Sequence, residues 1–158
     1  MRIEGKKLKK VSNKINILES IDISITSDTI YGLLGPNGAG KTSLFSILAG
    51  LSKPSKGEVL YNSKIVNNLS FEKRSELGVI YLPQEPSVFR ELTVEENIKA
   101  ALEAKKNDKK EVENKLTQIC EEFDLIKIKT QKCNSLSGGQ RRRVEIARAI
   151  ALSPKLIL

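Results

Sequence analysis

The feature that most constrains this chain is the octapeptide Gly35-Pro36-Asn37-Gly38-Ala39-Gly40-Lys41-Thr42, which fits the pattern G-x-x-x-x-G-K-[ST]. Three glycines within six residues exclude a regular helix or strand there and point to a tightly turning backbone. From Thr29 to Leu34 the residues are apolar and suit a strand; from Lys41 onward Leu44, Ile47, Leu48 and Leu51 fall on one helical face. A strand, a glycine-rich turn and a helix are therefore predicted in that order. In this setting loop N–H groups and a helix N-terminus converge on an anion. Lys41 supplies a point charge for β- and γ-phosphates, the Thr42 hydroxyl suits Mg2+, and Ser43 continues the nucleotide-binding turn. The plain alternative is a glycine-rich connection with no ligand.

Length and composition leave room for this reading. With 158 residues the chain can hold one domain, or a core with a small subdomain. At 39% hydrophobic and 29% charged it is not a disordered tract. The net charge of +8 favours anionic neighbours, but the lysines are spread along the chain, as on an ordinary solvated surface. Cys120 and Cys133 match no zinc or redox spacing, which makes a reduced cytosol the simplest compartment. The segment Met-Arg-Ile-Glu-Gly-Lys-Lys at the start lacks the apolar core of a signal peptide, and no apolar run is long enough to span a bilayer. A membrane role would come through a partner.

Residues 2–34 read as strands: Ile21, Ile23 and Ile25 alternate with Asp22, Ser24 and Thr26, with a turn at Ser27-Asp28. Short strands are predicted at residues 58–61 and 78–82, and a short helix at residues 70–76. After Gln84 the texture becomes helical. Thr93 and Glu96 form a capping box for a helix with Val94, Ile98, Ala101 and Leu102 on one face. A polar break follows at residues 105–110, then a stripe of Val112, Leu116, Ile119 and Phe123. A third helix is expected from Ser137 to Leu152, ended by Pro154.

That last helix begins at a second motif, Leu136-Ser137-Gly138-Gly139-Gln140. Ser137 suits an N-cap, and glycines with a hydroxyl at a helix N-terminus also make a second anion site. With both motifs at this spacing the chain resembles the ABC ATPase family along its whole length. The resemblance implies an α/β fold: a P-loop NTPase (RecA-like) core, an N-terminal antiparallel β subdomain and an inserted α-helical subdomain. It divides the chain into residues 1–83, 84–152 and the first residues of a further strand, 153–158. It implies ATP and Mg2+ as cofactors, with Lys41 and Gln84 in catalytic roles and Thr42 and Gln84 at the metal. Leu136, Ser137, Gly138, Gly139 and Gln140 would complete the site of a second subunit in a head-to-tail homodimer. A membrane permease would dock near the cleft from Gln84 to Leu92, placing the chain on the cytoplasmic face of the inner membrane. Val88 and Phe89 either fold inward or meet that partner.

Within the family, the wording from Gly78 to Asn97 and the run Arg141-Arg142-Arg143 resemble ATP-binding subunits of lipopolysaccharide export, with branched-chain amino acid importers next. The arginine run suits a solvated helix face with an Arg141–Glu145 ion pair better than a nucleic-acid patch, so no nucleic-acid partner is expected. Three departures are visible. The family's Walker B aspartate, catalytic glutamate and switch histidine have no counterparts, and the sequence contains no histidine. A C-terminally truncated chain with exposed apolar surface, binding nucleotide without efficient turnover, is the corresponding expectation. No aromatic stands near Val11-Ser12, where the family stacks adenine, and Asp28 replaces a usual glycine.

Overall fold

The computed structural model describes residues 1–105 and 108–158. They divide into two compact units, residues 1–81 with 155–158 and residues 82–154. The first unit is built on a four-stranded antiparallel sheet in the order β2-β1-β3-β4. Its strands are β1 (Arg2–Ser12), β2 (Ile15–Thr26), β3 (Lys56–Tyr61) and β4 (Lys64–Ile65). Both tight hairpins are two-residue loops with positive φ at each position, Asn13-Lys14 and Asn62-Ser63. Such loops match the right-handed twist of the strands they join. One sheet face buries Ile3, Leu8, Leu18, Ile25, Val59 and Tyr61.

Against that face packs α1 (Lys41–Ala49), which contributes Leu44, Ile47 and Leu48. Each buried side chain of this kind is worth about 2 kcal/mol relative to exposure. The helix stops at Gly50, in the left-handed conformation at φ 92, so Leu51 lies outside it and is half exposed. A continuation was expected there; the glycine terminator overrides the apolar spacing.

The C-terminal end of α1 is held by a charged side chain. Arg74, on α2 (Phe71–Glu76), is 1% exposed. It donates to the carbonyls of Ile47 and Leu48 at 3.0 Å, Val66 at 2.8 Å and Leu69 at 3.2 Å. A cation at a helix C-terminus meets the negative end of the dipole and the carbonyls left without intrahelical donors. The Tyr61 hydroxyl donates to the same Leu48 carbonyl. Burial raises the Tyr61 phenol above its ordinary value, partly offset by Arg74.

Residues 79 and 80 form β5 (Val79–Ile80), shorter than the strand expected over residues 78–82, and pair in parallel with β6 (Leu156–Ile157). The strand expected from Thr29 to Leu34 is not formed. A strand is a pairing as much as a propensity, and these residues take no ladder partner among the described residues. Ile30 and Leu34 are left exposed instead, and Ile30 borders an apolar cleft of about 320 Å³ shared with Phe45, Leu48 and Leu156.

The second unit is helical: α3 (Val94–Glu103), α4 (Lys109–Glu122) and α5 (Gly138–Ala151). The expected faces are buried, with Val94, Ile98 and Leu102 meeting Val112, Leu116, Ile119, Val144 and Ala147. Residues 106 and 107 of the expected polar break lie outside the described residues. The α3 capping box is present: the Thr93 hydroxyl accepts from the Glu96 N–H at 3.2 Å, and Glu96 accepts from the Thr93 N–H at 2.7 Å. Cys120 and Cys133 are both buried and free, with their thiols pushed up by desolvation. No helix among the described residues is long and apolar enough to cross a membrane.

Candidate nucleotide site

The glycine-rich loop stands between residues 29–34 and α1. Gly38 and Gly40 have φ of 82 and 84, and Ala39 donates to the Pro36 carbonyl at 3.3 Å. Gly40 is the residue the geometry cannot replace. A Cβ there would lie 2.7 Å from both the Ile17 carbonyl oxygen and Leu18 Cδ2, so the loop rests directly on β2. Gly40 is also the N-cap of α1, and no side chain caps the helix. Its first-turn N–H groups, on Lys41, Thr42 and Ser43, have no intrahelical acceptors, and the dipole adds partial positive charge. Gly35, Pro36, Asn37, Gly38 and Ala39 are exposed, as is Thr42.

The Lys41 ammonium donates to the carbonyls of Gly35 at 2.6 Å and Pro36 at 2.7 Å. It is therefore drawn into the loop, where a phosphate oxygen would find it already in place. The arrangement combines an uncapped helix start, a fixed turn and one cation, which is what binding a phosphate group requires. A larger concavity of about 1140 Å³ lies elsewhere, on the open face of the sheet. There Lys6, Lys9 and Lys56 are matched by Glu4, Glu19 and Glu58. Its balanced charge gives it no preference for an anion.

Gln84 and the second motif belong to the helical unit. Gln84 is exposed. Leu136 is buried beneath the start of α5, while Ser137, Gly138 and Gly139 are exposed. Here the helix start is closed. The Ser137 hydroxyl accepts from the Gln140 N–H at 3.3 Å, and Gln140 Oε1 accepts from the Ser137 N–H at 2.9 Å. A Cβ on Gly138 or Gly139 would meet nothing within 4 Å. Val11 and Ser12, at the expected adenine position, are exposed and offer no ring.

Three polar residues were not legible as part of this region. Glu145 is buried at 4% exposure, and its partner is Arg142 at 3.0 Å rather than the expected Arg141. Both arginines lie within reach of a helical neighbour, but Arg142 also donates to the Pro83 carbonyl, which fixes it on Glu145's side. Glu145 Oε1 accepts from the Ser87 N–H at 2.7 Å. Arg148 donates to the Ser87 carbonyl and lies 4.4 Å over the Phe89 ring. Asn97, fully buried, accepts from the Phe89 N–H and donates back to the Phe89 carbonyl. Helical spacing from Val144 places Glu145 and Arg148 beside the buried face, a signal that could have marked them. Val88 folds inward, whereas Phe89 stays half exposed.

One unit holds a parallel β5–β6 pair and an antiparallel sheet with a phosphate-type loop, and a separate helical unit carries a capped Ser-Gly-Gly turn at the start of its last helix, the parts of an ATP-binding cassette. The family model described as "ABC transporter" matches residues 18–158, and the chain belongs to that family. Among its relatives are the lipopolysaccharide export system ATP-binding proteins LptB of Haemophilus influenzae and Acidithiobacillus ferridurans, 40% and 38% identical. Each match covers 99% of this chain and 65% of the relative, so the chain spans about two thirds of the length of these proteins. A solved dimeric ATP-binding cassette, in a post-hydrolysis state with ADP and Pi, superposes with a TM-score of 0.85 at 26% identity. That match covers 98% of this chain and 72% of the solved one.

Proposed function

We propose that this chain is the nucleotide-binding part of a transport ATPase that takes ATP with Mg2+, works as a head-to-tail homodimer and drives a membrane permease. The observation that carries the reading is the uncapped start of α1, with Gly40 locked against β2 and the Lys41 ammonium held inside the loop. Gly35, Pro36, Asn37, Gly38, Ala39 and Gly40 wrap the phosphates, Lys41 neutralises their charge, and Ser43 closes the turn. Thr42 and Gln84 offer neutral oxygen donors. Such a set suits Mg2+ when phosphate oxygens and water complete its shell, and the ion would then offset charge on the transferred phosphoryl group.

Leu136, Ser137, Gly138, Gly139 and Gln140 serve the nucleotide of the second subunit. The dimeric state of the solved cassette supports this arrangement. The segment from Gln84 to Leu92 receives an apolar helix of the permease, which places the chain on the cytoplasmic face of the inner membrane; exposed Phe89 supports this. Lipopolysaccharide is the proposed cargo, on the names of the relatives, with a branched-chain amino acid importer as the alternative. ATP hydrolysis is proposed for the family's full catalytic set, which includes carboxylates that residues 1–158 do not assign.

Calorimetric titration of residues 1–158 with ATP and Mg2+ tests the reading. Saturable binding that Lys41→Ala weakens about a hundredfold is expected; equal binding by the variant would overturn it. Turnover measured on the same samples separates a working ATPase from a binding module.

A further inference from the structure

The segment after Gln84 has the composition of a loop but not its freedom. Its backbone polar groups are taken up from three sides. From α5, Glu145 accepts the Ser87 N–H at 2.7 Å and Arg148 donates to the Ser87 carbonyl. From α3, Asn97 Oδ1 accepts the Phe89 N–H at 2.9 Å, and its amide donates to the carbonyls of Phe89 at 3.0 Å and Thr93 at 2.9 Å. Behind the segment, Asn134 donates to the Arg90 carbonyl at 2.9 Å and Cys133 to the Leu92 carbonyl at 3.0 Å. Asn97 and Glu145 are 0% and 4% exposed, so the side-chain ends of their bonds lie away from water. Burying a carboxylate and an amide is costly unless each is fully engaged. Here one oxygen of Glu145 takes the Ser87 N–H while the other pairs with Arg142, and Asn97 spends its oxygen and part of its amide on the Phe89 backbone. What remains outward is side chain: Phe89, half exposed beneath Arg148, and Arg90.

We infer that Asn97 and Glu145 are positioning residues that hold residues 87–92 preformed on α3 and α5. A partner then meets a rigid surface with Phe89 and Arg90 foremost, joined without slack to the helix that begins at Ser137. This rests on the proposed reading of residues 84–92 as the seat of a membrane partner. Preforming the surface removes the entropy of ordering it on binding. It also means that a displacement of α5 at its N-terminus is carried to Ser87, two to three helical turns along, through a buried carboxylate rather than a flexible tether.

Amide hydrogen exchange resolved by residue, on residues 1–158, tests this. The Ser87 and Phe89 amides are expected to be protected in the unmodified chain. Glu145→Ala should speed exchange at Ser87 by about tenfold or more, and Glu145→Gln, which keeps an acceptor, should restore most of the protection. Asn97→Ala should do the same at Phe89; if that variant does not fold, the Glu145 pair decides alone. The Glu96 and Gln140 amides, inside their capping boxes, should keep their rates in Glu145→Ala, a selectivity that general loosening would not produce. Free exchange at Ser87 and Phe89 in the unmodified chain, or no change in Glu145→Ala, would overturn the inference. Nucleotide titration is a separate measurement: its failure would sink the proposed function and leave this exchange pattern to stand or fall by itself.

Discussion

The two glycine-rich helix starts of this chain look alike in sequence and behave oppositely in structure. At α1 the glycines are required by the chain itself. Gly40 sits at φ 84 with β2 where a side chain would go, and no side chain caps the helix. At α5 the cap is complete, and Gly138 and Gly139 face open space. Glycine within a helix costs about 1 kcal/mol relative to alanine. The fold therefore has nothing to gain from glycine at 138 and 139, and the open space there suits something that approaches from outside. One start is a finished seat; the other is a surface kept clear.

The largest expected effect is at the seat. Gly40→Ala forces a Cβ into the Ile17 carbonyl at an unfavourable φ and should destabilise the first unit by roughly 2–4 kcal/mol. Nucleotide binding should go with it, read by thermal melting and titration. A variant that melts normally would show that the loop can shift and that α1 does not depend on glycine at this position. Next, Lys41→Ala should weaken ATP binding by about a hundredfold, the loss of one or two charge-assisted hydrogen bonds. Its melting temperature should move far less than that of Gly40→Ala.

At the clear surface the signs differ between neighbours. Ser137→Ala removes the cap and should cost about 1 kcal/mol of stability. Gly139→Ala should leave stability unchanged or raise it by up to about 1 kcal/mol. ATP binding by the isolated chain should survive both, while dimerisation on ATP, followed by light scattering, should fail in Gly139→Ala. Destabilisation by Gly139→Ala would mean that the α5 start, like that of α1, needs its glycine for the fold.

The smallest effect separates two capping boxes by chemistry. The Thr93 N–H and hydroxyl hold the Glu96 carboxyl below its usual range, whereas α5 uses the uncharged Gln140. A depressed carboxyl pKa contributes stability that is present above its unfolded value and lost as pH falls through the lowered one. Acid titration followed by amide exchange should therefore fray the start of α3 before that of α5, and Glu96→Gln should remove the difference.

Much of this was legible along the chain, because local chemistry carries it. The capping box at Thr93, the N-cap at Ser137 and the apolar faces of α3 and α4 all depend on residues within four positions of each other. What escaped depends on distant partners. Arg74 reads as one more cation in a polar helix until the carbonyls of Ile47 and Leu48 are brought to it. Glu145 reads as half of a surface pair until Ser87 arrives. The missing strand at residues 29–34 errs in the opposite direction: its composition suits a strand, but hydrogen bonding needs a neighbour that composition does not supply. At the candidate site, the phosphate loop was legible as a motif with a helix after it, though not the strand expected before it, while the closed state of the second helix start required coordinates.

The two cysteines lend themselves to a use unrelated to their packing. Both are enclosed, and desolvation holds both as thiols rather than reactive thiolates. The native chain should therefore react slowly with maleimides and other thiol-directed reagents, which a timed labelling assay would check. A single cysteine introduced at Phe89 or Gly139 would be the preferred target for a fluorophore or spin label, so distances between the helical unit and its neighbours could be measured without first stripping the background.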